Sequence, residues 1–221
     1  MRQQRPTEVY CAVYTAIPKH VSLLIDTDAF CMLAAGQLLD DAISLLDADR
    51  STSARLPALP YMLRKGQLRK KYGDQTSDIL VPIANSIPVI GQPDAQWLDK
   101  LIPVQNIDPG EAQLFALAAE KQLTILTNDK RALRSLKDVP GFASALAGRV
   151  VILEAILIAL CDQLGATVVS ARVHPIITHD TMVRMCFSSR NPDPRHALFS
   201  YYQSLVPDLD PLVLWHSWRE V

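Results

Sequence analysis

Three acidic residues stand where an apolar run ends or where a helix should begin. Asp26 follows the run 21–25, Asp129 follows a second run at 123–126, and Glu111 lies early in a segment with strong helical signals. The carboxyl ends of parallel strands meet at one sheet edge, so we expect these acids to lie close together. Crowded carboxylates repel each other and lose hydration, which a cation relieves. Their oxygens suit Mg²⁺ or Mn²⁺, and the spacing therefore predicts a divalent metal site.

Ordinary structural roles are open for most of these acids. Glu111 stands three residues after Asp108, which is the spacing of a helix capping box. Asp129 has the position of a helix N-cap, and Asp28 could cap a helix starting at Ala29. Asp26 directly follows a buried-strand pattern and has no such evident structural role.

The elements that must position these residues follow from hydrophobic periodicity and turn residues. The run 21–25, Pro88–Gly91 and the run from Leu123 read as strands, and Val150–Leu153 reads as a strand or as the opening of a buried helix to Leu164. Helical patterns cover 29–46, 56–72, 74–87, 93–101, the segment from Asp108, and 130–136, with a loop at 49–53. Alternating helices and strands predict an α/β fold with a parallel sheet.

Three short motifs resemble the acidic motifs of the PIN-domain nucleases. They are Leu-Ile-Asp-Thr-Asp at 24–28, Gly-Glu-Ala at 110–112 and Leu-Thr-Asn-Asp-Lys-Arg-Ala at 126–132, and they occur in the family's order. The resemblance covers roughly residues 20–155. It implies a Rossmann-like parallel sheet sandwiched by helices and a metal-dependent endoribonuclease. Asp26, Glu111 and Asp129 would hold Mg²⁺ or Mn²⁺ and form the catalytic site.

The chain departs from that pattern in two ways. Many family members carry a fourth acid soon after the third, where this chain has Lys130, Arg131 and Ala132. Asp28 could supply the missing carboxylate as a further metal ligand, while Thr127 and Asn128 would support the site. The chain is also longer than compact toxin-type members. We therefore predict an N-terminal segment 1–20, a PIN-like domain 20–155 and a mainly helical C-terminal extension 156–221.

A basic segment at 64–71 could hold RNA phosphates, with Tyr61 or Tyr72 stacking on a base. The alternative is a helix face exposed to solvent. The predicted RNA-binding residues are Arg64, Lys65, Arg69, Lys70, Lys130 and Arg131. The RNA could be single-stranded or structured. The resemblance to toxin-type members also leaves open an antitoxin-like protein partner, and the apolar face at 156–160 could be core or the interface of a homodimer.

The composition sets limits on other functions. With 22 basic and 23 acidic residues the net charge is -1, so nucleic acid would have to bind at a local patch. The four cysteines lie far apart and suggest a reducing compartment. No apolar run is long enough to span a membrane, which favours a cytoplasmic protein.

Two other functions compete with the nuclease. Asp26-Thr27-Asp28 also resembles the nucleophile and acid of haloacid dehalogenase-type phosphatases. That family needs an acidic pair after a later strand, and the corresponding run here ends in Leu153-Glu154-Ala155. It would also leave the Gly-Glu-Ala motif unexplained. A non-catalytic PIN-like module that binds RNA or protein is the third reading, supported by the missing fourth acid.

Overall fold

The computed structural model describes residues 21–218, and the predicted N-terminal segment lies outside the described residues. Its centre is a parallel sheet of four strands: β1 (Leu23–Ile25), β2 (Ser53–Arg55), β3 (Thr124–Thr127) and β4 (Val150–Ile152). They lie side by side in the order β2-β1-β3-β4. The predicted α/β class with a parallel sheet is confirmed, and the arrangement is consistent with a Rossmann-like fold.

Helices flank this sheet. The N-terminal ones are α1 (Thr27–Ala35), α2 (Leu39–Ser44), α3 (Leu59–Lys65), α4 (Gln67–Tyr72), α5 (Asp74–Asn85), α6 (Ala95–Leu98) and α7 (Pro109–Lys121). After β3 come α8 (Lys130–Leu136), α9 (Phe142–Ala145), α10 (Leu153–Leu164), α11 (Ala166–Val173), the 3₁₀ helix His174–Ile176, α12 (Thr181–Cys186) and α13 (Pro194–Leu209). Each helix within residues 21–218 is too short or too polar to span a lipid bilayer.

Strand β2 differs from the prediction, which placed a loop at 49–53 and a helix from Leu56. Its sequence, Ser-Ala-Arg, lacks the apolar run by which buried parallel strands are recognised. Ser53 and Arg55 are nevertheless buried. The Arg55 guanidinium donates hydrogen bonds to the carbonyl oxygens of Ala84 at 2.5 Å and Leu56 at 2.9 Å. These bonds compensate the burial of a charged side chain, so a strand forms where composition predicts none.

Two segments predicted as single helices are each divided in two. The helix predicted at 29–46 is interrupted between α1 and α2, where Gln37 has a positive φ of 54°. The helix predicted at 56–72 breaks at Gly66, between α3 and α4. A Cβ added at Gly66 would lie 2.7 Å from the Met62 Cα, so a larger residue would force the backbone to shift. Both breaks depend on backbone conformation, which hydrophobic periodicity does not report.

The C-terminal part is mainly helical, as predicted. The segment at 150–153 was predicted as a strand or as the opening of a buried helix, and it contains both. Strand β4 ends at Ile152 and α10 begins at the next residue. Residues 153–161 are all buried. Side chains of α10, α11, α12 and α13 belong to one continuous hydrophobic core with those of the sheet. The predicted division at 155/156 falls inside α10.

Candidate active site at the carboxyl edge of the sheet

The acids lie where the order of the strands reverses. From β1 the chain moves outward to β2, and it then returns to the other side of β1 to form β3. In open α/β sheets, ligands bind outside the carboxyl ends of the strands at such a point. Asp26 directly follows β1, and its backbone N–H donates to the Leu126 carbonyl oxygen of β3 at 2.9 Å. Asp129 follows β3 by two residues, so both acids reach this crevice.

A cavity of about 550 Å³ occupies the crevice. We call it the acidic cleft, because five of the residues that line it are carboxylic acids. These are Asp26, Asp28, Asp108, Glu111 and Asp129. The structure thus brings together all four predicted metal ligands and adds Asp108. A larger cavity of about 810 Å³ lies against α13 and has mainly apolar walls that include Phe199 and Trp218.

Asp26 is the N-cap of α1, a role that the sequence did not suggest. One carboxylate oxygen accepts a hydrogen bond from the Thr27 backbone N–H at 2.6 Å. The Thr127 hydroxyl donates to the other at 3.4 Å, as expected for a supporting residue. Burial raises the pKa of Asp26 from 3.8 to about 7, and the charges of Asp28 and Asp108 add to the increase. The site therefore favours the neutral acid over the carboxylate unless a cation binds nearby.

Glu111 completes the capping box expected at the start of α7. Its Oε2 accepts from the Asp108 N–H at 2.8 Å, while Asp108 accepts from the N–H groups of Gly110 and Glu111. The pKa of Glu111 is raised from 4.5 to about 8, mainly by burial and also by the nearby charges of Asp129 and Asp108, against the lowering effect of the Asp108 N–H. The structural role therefore does not exclude a functional one.

Asp129 also caps a helix, since its Oδ1 accepts from the N–H groups of Arg131 at 2.8 Å and Ala132 at 2.9 Å. Its own backbone N–H donates to the Thr127 hydroxyl oxygen at 3.2 Å. Thr127 thus touches both Asp26 and Asp129. One buried hydroxyl fixes the two strand ends relative to each other.

Asp28 does not cap α1, because that helix begins at Thr27 with Asp26 as its cap. The Asp28 carboxylate instead pairs with the Lys71 ammonium at 3.1 Å. This residue lines the acidic cleft and remains close to Asp26, whose pKa it raises. Asp28 could therefore be an additional oxygen ligand of a metal ion, but it would then have to give up its ion pair with Lys71.

The side chains of Asn128 and Lys130 form a polar cluster with Glu154 and Asp180, while the Asn128 backbone N–H lowers the pKa of Asp26 and so supports the site as predicted. The Lys130 ammonium donates to Asn128 Oδ1 at 2.6 Å and pairs with the fully buried Glu154 at 2.7 Å. Asn128 in turn donates to Asp180 at 3.1 Å, and Asp180 caps α12. The prediction of Lys130 as an RNA contact is therefore corrected, since its side chain is only 13% exposed and is held by Glu154. The cluster anchors the turn that carries Asp129.

The Lys130–Glu154 pair predicts a measurable coupling. Neither oxygen of Glu154 accepts a well-directed hydrogen bond, and burial raises the pKa of Glu154 against the opposing effect of Lys130. Lys130→Met should leave that acid uncompensated, and Glu154→Gln should leave the ammonium unpaired. In denaturant unfolding, the two changes together should cost about 1–3 kcal/mol less than the sum of the single changes. If the losses in the free energy of unfolding were additive, the ion pair between Lys130 and Glu154 would make no contribution of its own to stability.

The other predicted RNA-binding residues do not line the acidic cleft. Arg69 pairs with Asp74 and Asp78 at the start of α5. The remaining ones are exposed and lie outside the cleft lining: Arg64, Lys65, Lys70 and Arg131. Tyr72 cannot stack on a base as predicted, because it is buried with its ring 4.6 Å from that of His179, whereas Tyr61 is 66% exposed.

Two cleft residues were not singled out from the sequence. Asp108 was recognised as a helix cap, and its position beside Glu111 follows from the capping box, which joins the two residues directly. Lys71 belongs to the basic segment 64–71. It faces the cleft because a new helix, α4, begins at Gln67, and the sequence pattern did not predict that start. No spacing rule relates Lys71 to Asp28, which lies 43 positions earlier.

The chemistry of these side chains fits a hard divalent cation. Within residues 21–218, no three His, Cys, Asp or Glu side chains are already grouped closely enough to hold an ion. Asp26, Glu111 and Asp129 each use one carboxylate oxygen in a helix cap, which leaves the second outside the cap. Mg²⁺ is commonly held by one or two carboxylates with waters and substrate phosphates, so a complete protein cage is not required.

Searches against protein-family models, curated proteins and solved structures find no match to this chain.

Proposed function

We propose that the chain is a metal-dependent endoribonuclease of the PIN-like type. The observation that carries this proposal is the convergence of Asp26, Glu111 and Asp129 on one cleft at the strand-order reversal. Burial raises the pKa of Asp26 to about 7 and that of Glu111 to about 8, so both acids would hold their negative charge more readily with a cation bound. A site of this kind is suited to a cation and a phosphate ester.

Each residue has a defined task in this proposal. Asp26, Glu111 and Asp129 would hold the ion, with Asp28 as a further ligand. When bound, Mg²⁺ or Mn²⁺ would activate a water molecule and neutralise charge developing on the phosphodiester. The Thr127 hydroxyl positions both acids, because it donates to the Asp26 carboxylate and its oxygen accepts from the Asp129 backbone N–H. The helix caps fix the direction of each carboxylate before substrate binds.

The position of Glu111 in the acidic cleft, together with Asp26 and Asp129, favours a nuclease over a haloacid dehalogenase-type phosphatase. In the phosphatase reading Asp26 would attack phosphorus and Asp28 would protonate the leaving group. Glu111 has no task there, and Asp28 is engaged by Lys71. A non-catalytic RNA- or protein-binding module is the other alternative. A toxin-type role with an antitoxin-like partner is a proposal that rests on the resemblance alone. A homodimer also stays a proposal, and the apolar face at 156–160 does not support it, because that face is buried within the chain itself.

The deciding experiment incubates the full chain with total RNA and with a defined single-stranded oligoribonucleotide. Mn²⁺, Mg²⁺ and a chelator are compared, and the cleavage ends are mapped. We expect cleavage that needs the metal and leaves no 2′,3′-cyclic phosphate, because water rather than the substrate's own 2′-hydroxyl attacks phosphorus. Hydrolysis of p-nitrophenyl phosphate without RNA cleavage would favour the phosphatase. Activity on neither substrate would favour the binding module.

A further inference from the structure

Lys71 is the one cation among the described residues that line the acidic cleft. The wall that carries it is formed by α3 and α4, and the acids come from the ends of β1 and β3 and the start of α7. The cleft holds five carboxylic acids against this single ammonium. An RNA phosphate entering so acidic a cleft needs a positive group on the protein as well as any metal.

The position of Lys71 suits this task. Its ammonium lies 3.1 Å from the Asp28 carboxylate, two residues beyond Asp26. The two side chains are 37% and 49% exposed, so solvent screens their attraction and the pair is readily exchanged. The ammonium also lies 5.4 Å from the centre of the Tyr72 ring, which is buried beneath it. A phosphate oxygen can therefore compete with Asp28 for this ammonium.

Apolar side chains also line the cleft. Met62 and Leu68 come from α3 and α4, Leu56 comes from the segment before α3, and Pro109 lies at the start of α7. A volume of about 550 Å³ is within the range of roughly 300–1,000 Å³ that encloses small ligands. An apolar wall beside a phosphate-binding cation suits a nucleotide whose base has left the stack. Unstacked bases are available in single-stranded RNA and not within a duplex.

We propose that Lys71 is a substrate-binding residue, which exchanges Asp28 for a phosphate of single-stranded RNA while the adjoining base packs on Leu56, Met62 and Leu68. This inference rests on the proposed nuclease function and names its substrate class. Asp28 is then a competitor of the substrate for the same ammonium. Removing the competitor should strengthen binding, whereas removing Lys71 should weaken it.

The neighbouring Lys70 provides a matched control, because it lies on the same helix and is exposed but does not line the cleft. Lys70→Met, Lys71→Met and Lys71→Arg are compared in cleavage kinetics with a short single-stranded oligoribonucleotide and Mn²⁺. Binding is followed on an Asp129→Asn background over a range of salt concentrations. Lys71→Met should weaken binding about tenfold and lower the log–log salt slope by about 0.7 relative to Lys70→Met. Lys71→Arg should restore most of the binding.

Asp28→Asn supplies a test of opposite sign, measured in chelator so that the loss of a metal ligand does not enter. It should tighten RNA binding when Lys71 is present and do so much less in the Lys71→Met background. A duplex of the same sequence should bind more weakly than the single strand and should not respond to Lys71→Met. Wild type that cleaves RNA, with Lys71→Met equal to Lys70→Met, would overturn the role of Lys71 and leave the nuclease standing. Wild type that neither binds nor cleaves RNA would overturn both.

Discussion

Asp26→Asn should abolish metal-dependent RNA cleavage while the protein keeps its fold. Asn is as good an N-cap as Asp, so the hydrogen bond to the Thr27 N–H and the start of α1 are retained. The substitution removes the negative charge that a cation would bind. The loss should exceed the roughly 10–100-fold that removal of a ligand's supporting partner costs. Initial rates on the oligoribonucleotide with Mn²⁺ measure it, and circular dichroism confirms the fold.

Asp129→Asn should behave in the same way, because Asn can also preserve the cap of α8. Asp138→Asn is the matched control, since Asp138 is an exposed acid outside the acidic cleft. It should cleave at the wild-type rate. Full activity of well-folded Asp26→Asn protein would exclude Asp26 as a metal ligand and with it the proposed mechanism.

The sequence predicted best those features that depend on neighbouring residues. The capping box at Asp108 and Glu111 and the strand leading to Asp129 are where the spacing placed them. A parallel sheet then follows from alternating helices and strands, and it brings Asp26 and Asp129 to one edge. Asp26 is both the N-cap of α1 and a candidate metal ligand, although the sequence suggested no structural role for it.

Features that depend on distant partners were not predicted. Arg55 is buried in β2 because carbonyl oxygens of Ala84 and Leu56 accept from its guanidinium. Lys130 appeared to be a free basic residue, yet Glu154 holds it inside the protein. A charged residue is normally assigned to the surface, and only the folded chain shows which charges are compensated.

The acidic cleft also predicts an unusual dependence of stability on pH. The pKa of Asp26 is raised on folding from 3.8 to about 7, mainly by burial. The folded state therefore holds this proton more tightly than the unfolded state. The resulting stability is fully present below pH 3.8 and is lost as pH rises through about 7. In chelator, wild-type protein should thus become less stable between about pH 4 and pH 8.

Asp26→Asn removes this dependence, because Asn does not titrate and keeps the cap. In chelator at pH 8, we expect the variant to be more stable than wild type by at most about 4 kcal/mol, the free-energy equivalent of the pKa difference. At pH 5 the folded wild type holds the proton at Asp26 while the unfolded state has largely lost it, so the difference should fall to less than half of its value at pH 8. It should vanish only below about pH 3.8. Glu111→Gln should act in the same direction, since Gln can complete the capping box and the pKa of Glu111 is raised to about 8.

Denaturant unfolding of wild type and Asp26→Asn at both pH values measures this effect. Mn²⁺ at a hundredfold excess over its dissociation constant should then stabilise wild type by about 2.7 kcal/mol and the variant much less. A carboxylate required only to satisfy the Thr27 N–H and the Thr127 hydroxyl would behave differently. Because Asn keeps the cap, its replacement would then leave the stability at pH 8 unchanged, or lower it where the Thr127 hydroxyl is paired less well, and nothing would be gained from removal of charge. A gain in stability in chelator therefore separates an acid kept for a cation from an acid kept for the fold.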